Sequence, residues 1–494
     1  MRLHFQFFIM IVLVQFISNT SSAQNKFDNN EALYRPVIHF TPQKGWMNDP
    51  NGMFYKDGVY HLYFQHYPDS TVWGPMHWGH ATSTDLLNWK QESIALFPDS
   101  IGMIFSGSAV VDKNNTSGLG VHGKAPIVAI FTQHNMQGEK SGRVDFQNQS
   151  IAYSNDNGYT WKMFPGNPVV KNPGIKDFRD PKVMWFEPSK KWIMTVAVKN
   201  KVSFYSSPNL KEWKKESDFG EQFGSHDGVW ECPDLFSLQL DNKQYWVLTS
   251  SINPGGPNKG SATQYFIGTF DGHIFKANST KTKWMDYGAD NYAGVTFSNT
   301  GDRKISIGWM SNWMYAQQVP TMQWRSATTS PRELALKKVG SEVYLTSNAI
   351  KELKTRNFKN VDKKFTEVSI PYKISLADIQ PHDFMISLSN EKGEHLDFGY
   401  NQLLNEYFID RTNAGRNEFN AEFATKHVAP RLATTKTIGL QVIIDKASIE
   451  IFADKGLTVM TDIFFPSTPY SMITIASSDS SIKKQLKINS YLTP

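Results

Sequence analysis

Three carboxylates stand in local sequences unusual enough to suggest chemistry: Asp49 in WMNDPNG, Asp180 in FRDPKV and Glu231 in VWECPDL. Two carboxyl groups held roughly 5 Å apart can cleave a glycosidic bond, one as proton donor and one as nucleophile. The donor must keep its proton, which a neighbouring negative charge and an apolar wall favour. Glu231, between Trp230 and Cys232, has the more apolar neighbours and reads as the acid/base. Asp49 lies among Asn48, Pro50, Asn51 and Gly52. That composition predicts a tight polar turn with backbone amides close by, so Asp49 reads as the ionised nucleophile. Asp180 follows Arg179, a pairing that predicts an ionised carboxylate able to hold two hydroxyls by charge-assisted bonds. Taken singly, each has a bland reading, since Asp before Pro is common in turns and Arg-Asp is often a surface pair.

Other residue types suit a sugar. Asn48 and Gln65 each donate and accept, which matches adjacent hydroxyls. Phe105 and Ser106 pair an apolar wall with a hydroxyl, and Trp46, Trp73 and Trp313 are candidate pocket walls. The chain has 14 Trp, and core packing is the commoner fate of any one of them. Several rival signals fail. His77 and His80 in MHWGHA lack a carboxylate set for a metal and read as packing or sugar contacts. Ser106-Gly107-Ser108 is not a nucleophile elbow. Cys232, the single cysteine, has no basic neighbour and reads as a small buried residue. The Gly-rich stretch near Gly255 lacks the Lys-Ser/Thr ending of a phosphate loop. No metal and no cofactor is implied.

The elements that must position these groups are strands. β-branched and aromatic runs alternate with Gly, Pro, Asn and Asp turns from about Ile38 onward, and helical periodicity is almost absent. A strand, a polar turn and a Trp recur in HATSTDLLNW, IAYSNDNGYTW and VSFYSSPNLKEW, with a weaker copy in FIGTFDGHIF before Trp284. Spacings of roughly 50 to 70 residues predict four-stranded blades of a β-propeller, with five fitting best. Such a fold brings the inner-strand ends of successive blades around one cavity, so carboxylates far apart in sequence converge. Beyond Arg332 the texture changes, and GLQVIIDKASIEIFA with a following Asp-Lys-Gly turn predicts an antiparallel β-sandwich. The expected organisation is therefore all-β: a five-bladed propeller over 33–340 and a sandwich over 350–494.

The motifs WMNDPNG, YHLYFQH, FSGSAV, FRDPKV and WECPDL, in that order, resemble glycoside hydrolase family 32, and the likeness runs on to IIDKASIEIF in the second domain. The resemblance implies that Asp49 attacks an anomeric carbon, Glu231 protonates the leaving oxygen, and Asp180 binds fructose hydroxyls. It also implies substrate contacts at Asn48, Gln65, Ser106 and Arg179. INPGGPNKGSATQYFIGTFDG is similar to the matching region of exo-acting levanases and inulinases, and its Gly and Pro residues predict a loop at the pocket rim. Terminal fructose release from levan, inulin or sucrose is the expected activity. A fructosyltransferase, a non-catalytic fructan-binding protein and an arabinan-cleaving propeller are the alternatives; the paired acid and nucleophile disfavour the second, and WMNDPNG and WECPDL the third.

Arg2, the apolar run Phe5–Ile17 and Ser21-Ser22-Ala23 predict a cleaved export signal over Met1–Ala23, with a periplasmic or extracellular destination. That run is too short to span a bilayer, so no stable membrane insertion is expected. With one cysteine, intramolecular disulfides are impossible. A net charge of +5 and scattered Lys residues, including the surface pairs Lys337-Lys338 and Lys363-Lys364, give no nucleic-acid footprint. Oligomeric state is not encoded in any feature of the sequence.

Overall fold

A computed structural model describes residues 32–355, 358–360, 371–479 and 481–491. The signal segment and the Lys363-Lys364 pair lie outside the described residues. Five antiparallel sheets come first along the chain, each beginning with its innermost strand: Gly45–Lys56, Met103–Val111, Phe178–Phe186, Val229–Leu240 and Tyr292–Thr296. Each inner strand touches the next and the fifth returns to the first, closing a ring of five blades. The ring is latched by Trp324–Arg325, which pairs in parallel with Gly45–Trp46 of blade 1.

Blades are held face to face by five apolar seams. Phe54 and Trp78 of blade 1 meet Phe131 and Ala152 of blade 2; Val110 and Ile151 meet Phe178 and Val196 of blade 3. Ile193 and Phe204 then meet Leu248 and Phe266 of blade 4, and Phe236 and Tyr265 meet Leu334 and Leu345 of blade 5. Trp309 and Ile307 close the circle against Trp46 and Leu62. A middle strand is covered on both faces, which is why IVAIFTQH at Ile127–His134 is buried at every position rather than alternating.

The recurring Trp marks the turn between third and fourth strands. In blades 1 to 3, Trp89, Trp161 and Trp213 donate Nε1–H to the carbonyls of Leu86, Gly158 and Leu210 at 3.1, 3.1 and 3.0 Å. Asp85, Asp156 and Asn209 accept backbone amides in the same turns. Blade 4 keeps only the acceptor, Asp271, bonded to the amides of His273 and Ile274. Trp284 instead pairs back on Gln264. Blade 5 extends past 340, because its outer strand is Glu342–Ala349.

The second domain is a six-stranded sheet packed on a five-stranded one. Its core alternates with period two, as in Tyr372, Ile374, Leu376 and Phe384, Ile386, Leu388. The hairpin Ile438–Asp445 and Ser448–Ala453 spans GLQVIIDKASIEIFA, and Asp454, Lys455 and Gly456, all with positive φ, make the turn to Thr458–Ile463.

Candidate active site

All five inner strands break their ladder in the same place, near the start. The register shifts between Met47 and Pro50, Ile104 and Gly107, Glu231 and Asp234, and Tyr292 and Val295. In blade 3 it shifts where Thr195 and Ala197 face Lys182 and Arg179. A β-bulge unpairs a residue and re-aims its side chain. Asp49, Ser106, Asp180, Glu231 and Tyr292 all lie in or beside these bulges, so one backbone device repeated five times turns them toward a common end of the axis. Pro50, Pro181 and Pro233 fit there because a bulge spares them the missing N–H. The expected tight turn at WMNDPNG is thus corrected: these residues belong to the strand Gly45–Lys56. Asp180 and Cys232 have φ of 63° and 45°, so the backbone is held in the left-handed region where blades 3 and 4 adjoin.

Asp49 is half-buried. Its Oδ2 accepts Ser106 Oγ–H at 2.6 Å and Cys232 Sγ–H at 3.4 Å, and its Oδ1 accepts Asn48 Nδ2–H at 3.0 Å. All three donors are neutral. Burial and then Glu231 push the Asp49 carboxyl above its usual range, against the pull of those donors. Glu231 has different company from the apolar neighbours expected: Arg179 Nε and Nη2 donate to Oε1 at 3.1 and 2.9 Å, and Tyr292 OH donates to Oε2.

Asp180 departs from expectation. Arg179 does not pair with it; the third guanidinium bond goes to Asp177 Oδ1 at 2.8 Å. Asp180 Oδ2 accepts Cys232 N–H at 3.0 Å and lies 3.6 Å from the thiol, while Thr132 Oγ1 accepts the Asp180 amide at 3.0 Å. Burial raises the Asp180 pKa to about 7, with Arg179 lowering it and Glu231 and Asp49 adding to the rise. Burial and the three carboxylates keep the Cys232 thiol protonated, so it acts as a weak donor between Asp49 and Asp180.

Trp73 and Phe105 meet edge to face at 6.1 Å, and Phe105 stacks on His134 at 4.3 Å, giving a half-exposed aromatic rim beside Ser106. Gln65 is buried and its Nε2 has no hydrogen-bond partner, an amide held ready for an acceptor. Trp46 is not an open wall: it is 0% exposed, donates to Asn48 Oδ1 at 2.7 Å and stacks under Trp313 at 5.8 Å. Trp313 is the half-buried member of that stack. Its amide donates to Ser261 Oγ, and Ser261 bonds to Asn253 at the base of the Gly-Pro loop. The loop itself reaches the sandwich through Asn258 to Val428 O and through Lys259 to Glu422.

Tyr292, Asp177 and Thr132 were not singled out by motif. Tyr292 had one usable signal, its place at the head of the fifth inner strand, where the other four strands carry WMND, FS, FRD and WEC.

A closed five-bladed propeller with three carboxylates at the heads of its inner strands, backed by a β-sandwich, is the architecture of a sugar-cleaving hydrolase. The chain belongs to glycosyl hydrolases family 32: residues 39–347 match the family's N-terminal domain and 335–490 its C-terminal region. It is 42% identical to a levanase of Bacillus subtilis (strain 168), over 98% of this chain and 74% of that protein. An extracellular exo-inulinase of Aspergillus awamori is 38% identical over 91% of this chain and 93% of its own. The crystal structure of exo-inulinase from Aspergillus awamori superposes with a TM-score of 0.84 at 34% identity, covering 93% of this chain and 98% of that one. A β-fructofuranosidase from Schwanniomyces occidentalis complexed with fructosyl-erythritol gives 0.82 at 34% identity, covering 93% and 98%.

Proposed function

We propose that this chain is a retaining, exo-acting hydrolase that releases terminal fructose from levan or inulin and from sucrose. The observation that carries the reading is the contrast between two neighbouring carboxylates. Asp49 has three neutral donors and no cation tying up its oxygens, while Glu231 is held at both oxygens by Arg179 and Tyr292, partners that stabilise the carboxylate left once its proton has been given to the leaving group. In the first step Glu231 gives its proton to the glycosidic oxygen as that oxygen leaves the anomeric carbon, and Asp49 bonds to the carbon from the opposite face. In the second, ionised Glu231 takes a proton from water, the water oxygen bonds to the anomeric carbon, and the Asp49 ester breaks. Fructose departs, and both carboxyls return to their starting states.

Asp180 and Arg179 bind the ring hydroxyls, with Asn48, Gln65 and Ser106 adding neutral contacts. Phe105, Trp73 and Trp313 line the rim against the sugar faces. Arg179 bonds Glu231 and Asp177 and leaves Asp49 and Asp180 without a bonded cation, so the site is short of positive charge. An oxocarbenium-like transition state supplies it, offsetting the burial and the mutual repulsion that raise Asp49 and Asp180.

The leader-like Met1–Ala23 and the extracellular relatives support export to the periplasm or the medium. Among the described residues no helix is long and apolar enough to cross a membrane. The test is fructose release by the purified chain from levan, inulin and sucrose. Free fructose is expected as the first product from a polymer. Oligosaccharides without early fructose would contradict exo action, fructosylated oligomers as the dominant product would point to transfer, and no release from any of the three would contradict the hydrolase reading.

A further inference from the structure

The strands that carry the carboxylates at their heads build a second cavity at their tails. Lys182–Phe186 of blade 3, Asp234–Ser237 of blade 4 and Thr296 of blade 5 line a space of about 680 Å³ together with the loop after the inner strand of blade 2. That volume is within the range of small-molecule sites. Its lining excludes Asp49, Asp180 and Glu231. Toward them stands a buried knot: Lys182 Nζ lies 3.4 Å from Asp234 Oδ2 and donates to the Thr296 carbonyl, and Asp234 Oδ2 accepts both the amide and the hydroxyl of Thr296 at 2.7 Å.

The lining has three unused capacities. Asp234 Oδ1 is buried and no donor reaches it. Lys304 is half-buried, its amine is lowered by burial against the pull of Asp234 and Asp302, and it makes a long 3.4 Å bond to Gly301 O. Trp185, Trp192 and Trp246 supply aromatic wall. Trp185 and Trp192 already spend their N–H groups on Glu187 and Thr116, at 2.6 and 2.8 Å, so what they offer the cavity is apolar ring. A carboxylate oxygen lacking a donor, an ammonium lacking a strong acceptor and aromatic faces together fit a ligand whose groups both donate and accept around an apolar ring. An anion would meet Asp234, and a hydrocarbon would leave both charged groups unsatisfied.

We propose that the far end of the propeller axis is a second site for a neutral saccharide, held by Lys304 and Asp234 and stacked on Trp185. It stands on its own lining and does not depend on the roles given to Asp49 and Glu231.

The test counts bound sugar. Full-length chain carrying Asp49→Asn, to stop turnover, is equilibrated by dialysis with radiolabelled sucrose. The same measurement is made after adding Trp185→Ala or, separately, Lys304→Met. The number of sucrose molecules bound per chain should fall by one in each far-end variant. In the otherwise unaltered enzyme, the same two substitutions should leave kcat and KM for sucrose within about twofold. An unchanged number in both variants overturns the site. Because the criterion is the loss of one molecule, it holds even if the carboxylate end binds no sucrose, and that separate outcome would count against the proposed activity alone.

Discussion

Two clusters of buried and half-buried carboxylates, one between the domains and one on the propeller axis, are treated differently. Between propeller and sandwich every acid has a cation or a full set of donors. His39 bridges Asp445 and Glu450 at 2.9 and 2.7 Å, Arg332 joins Glu450 to Asp286, Arg411 holds Asp290 at 2.7 Å, and His427 holds Asp462 at 2.7 Å. Despite burial, Arg332 and His39 pull Glu450 down to about 2, and its two acids, against burial, lift His39 to about 9. On the propeller axis, Arg179 bonds Glu231 and Asp177, while Asp49 and Asp180 have no bonded cation and are raised, first by burial. The first cluster is paired with cations, although burial still raises Asp290 against the pull of Arg411, and it fastens two domains; the second is left short of cations and stores a demand for positive charge.

The sign of the pH dependence differs accordingly. The His39 contribution is complete below about 6.5 and is lost as pH rises through about 9, and that of Glu450 is complete above about 4.5 and lost as pH falls through about 2. Asp180 works the other way. Its raised pKa means that stability declines from about pH 3.8 to about pH 7, where the unfolded chain has released a proton the folded chain still holds.

Removing a cation from the compensated cluster should do the most harm to folding. Arg332→Met leaves Glu450 and Asp286 buried without it and should cost about 3–5 kcal/mol in chemical denaturation, with turnover per folded molecule preserved. A loss below about 1 kcal/mol would remove the distinction drawn between the regions. Removing an acid from the axis should do the reverse. Asp180→Asn should abolish most activity yet stabilise the chain at about pH 8 by on the order of a few kcal/mol, the gain vanishing near pH 4. Equal stability of variant and parent at both pH values would show that the axis is not strained by its charges. The smallest change is at the Glu231 clamp. Tyr292→Phe deletes one hydrogen bond to the Glu231 carboxylate that develops as its proton leaves, about 1.5–3 kcal/mol, and should lower kcat roughly tenfold to a hundredfold with KM nearly constant. A rise in KM with kcat intact would place Tyr292 in substrate binding instead.

Much of this was legible in the chain because bulges and turns draw on the same residues. WMNDPNG, FRDPKV and WECPDL stand out through Pro, Asp and Gly inside apolar runs, and each marks an inner-strand bulge. The same chemistry misled at Asp49, where a bulged strand reads as a turn. Adjacent letters misled at Arg179: successive strand residues tend to face opposite sides, so Arg179 reaches Asp177, two residues back, and Glu231 in the next blade rather than Asp180. Trp46 shares a face with Asn48 for that reason and supports it from the core instead of meeting a ligand. Tyr292 had no motif at all. Its partner lies 61 positions away, and the packing of the inner strand of blade 5 against that of blade 4 brings them together.

The most direct test is to trap the sugar on the enzyme. Glu231→Gln is incubated with a β-fructoside whose leaving group needs no proton, so the first step proceeds while the base for the second is missing. Intact-mass and peptide analysis should find one fructosyl group on the peptide containing Asp49. No adduct with the released leaving group accounted for, or an adduct on Asp180, would contradict the account.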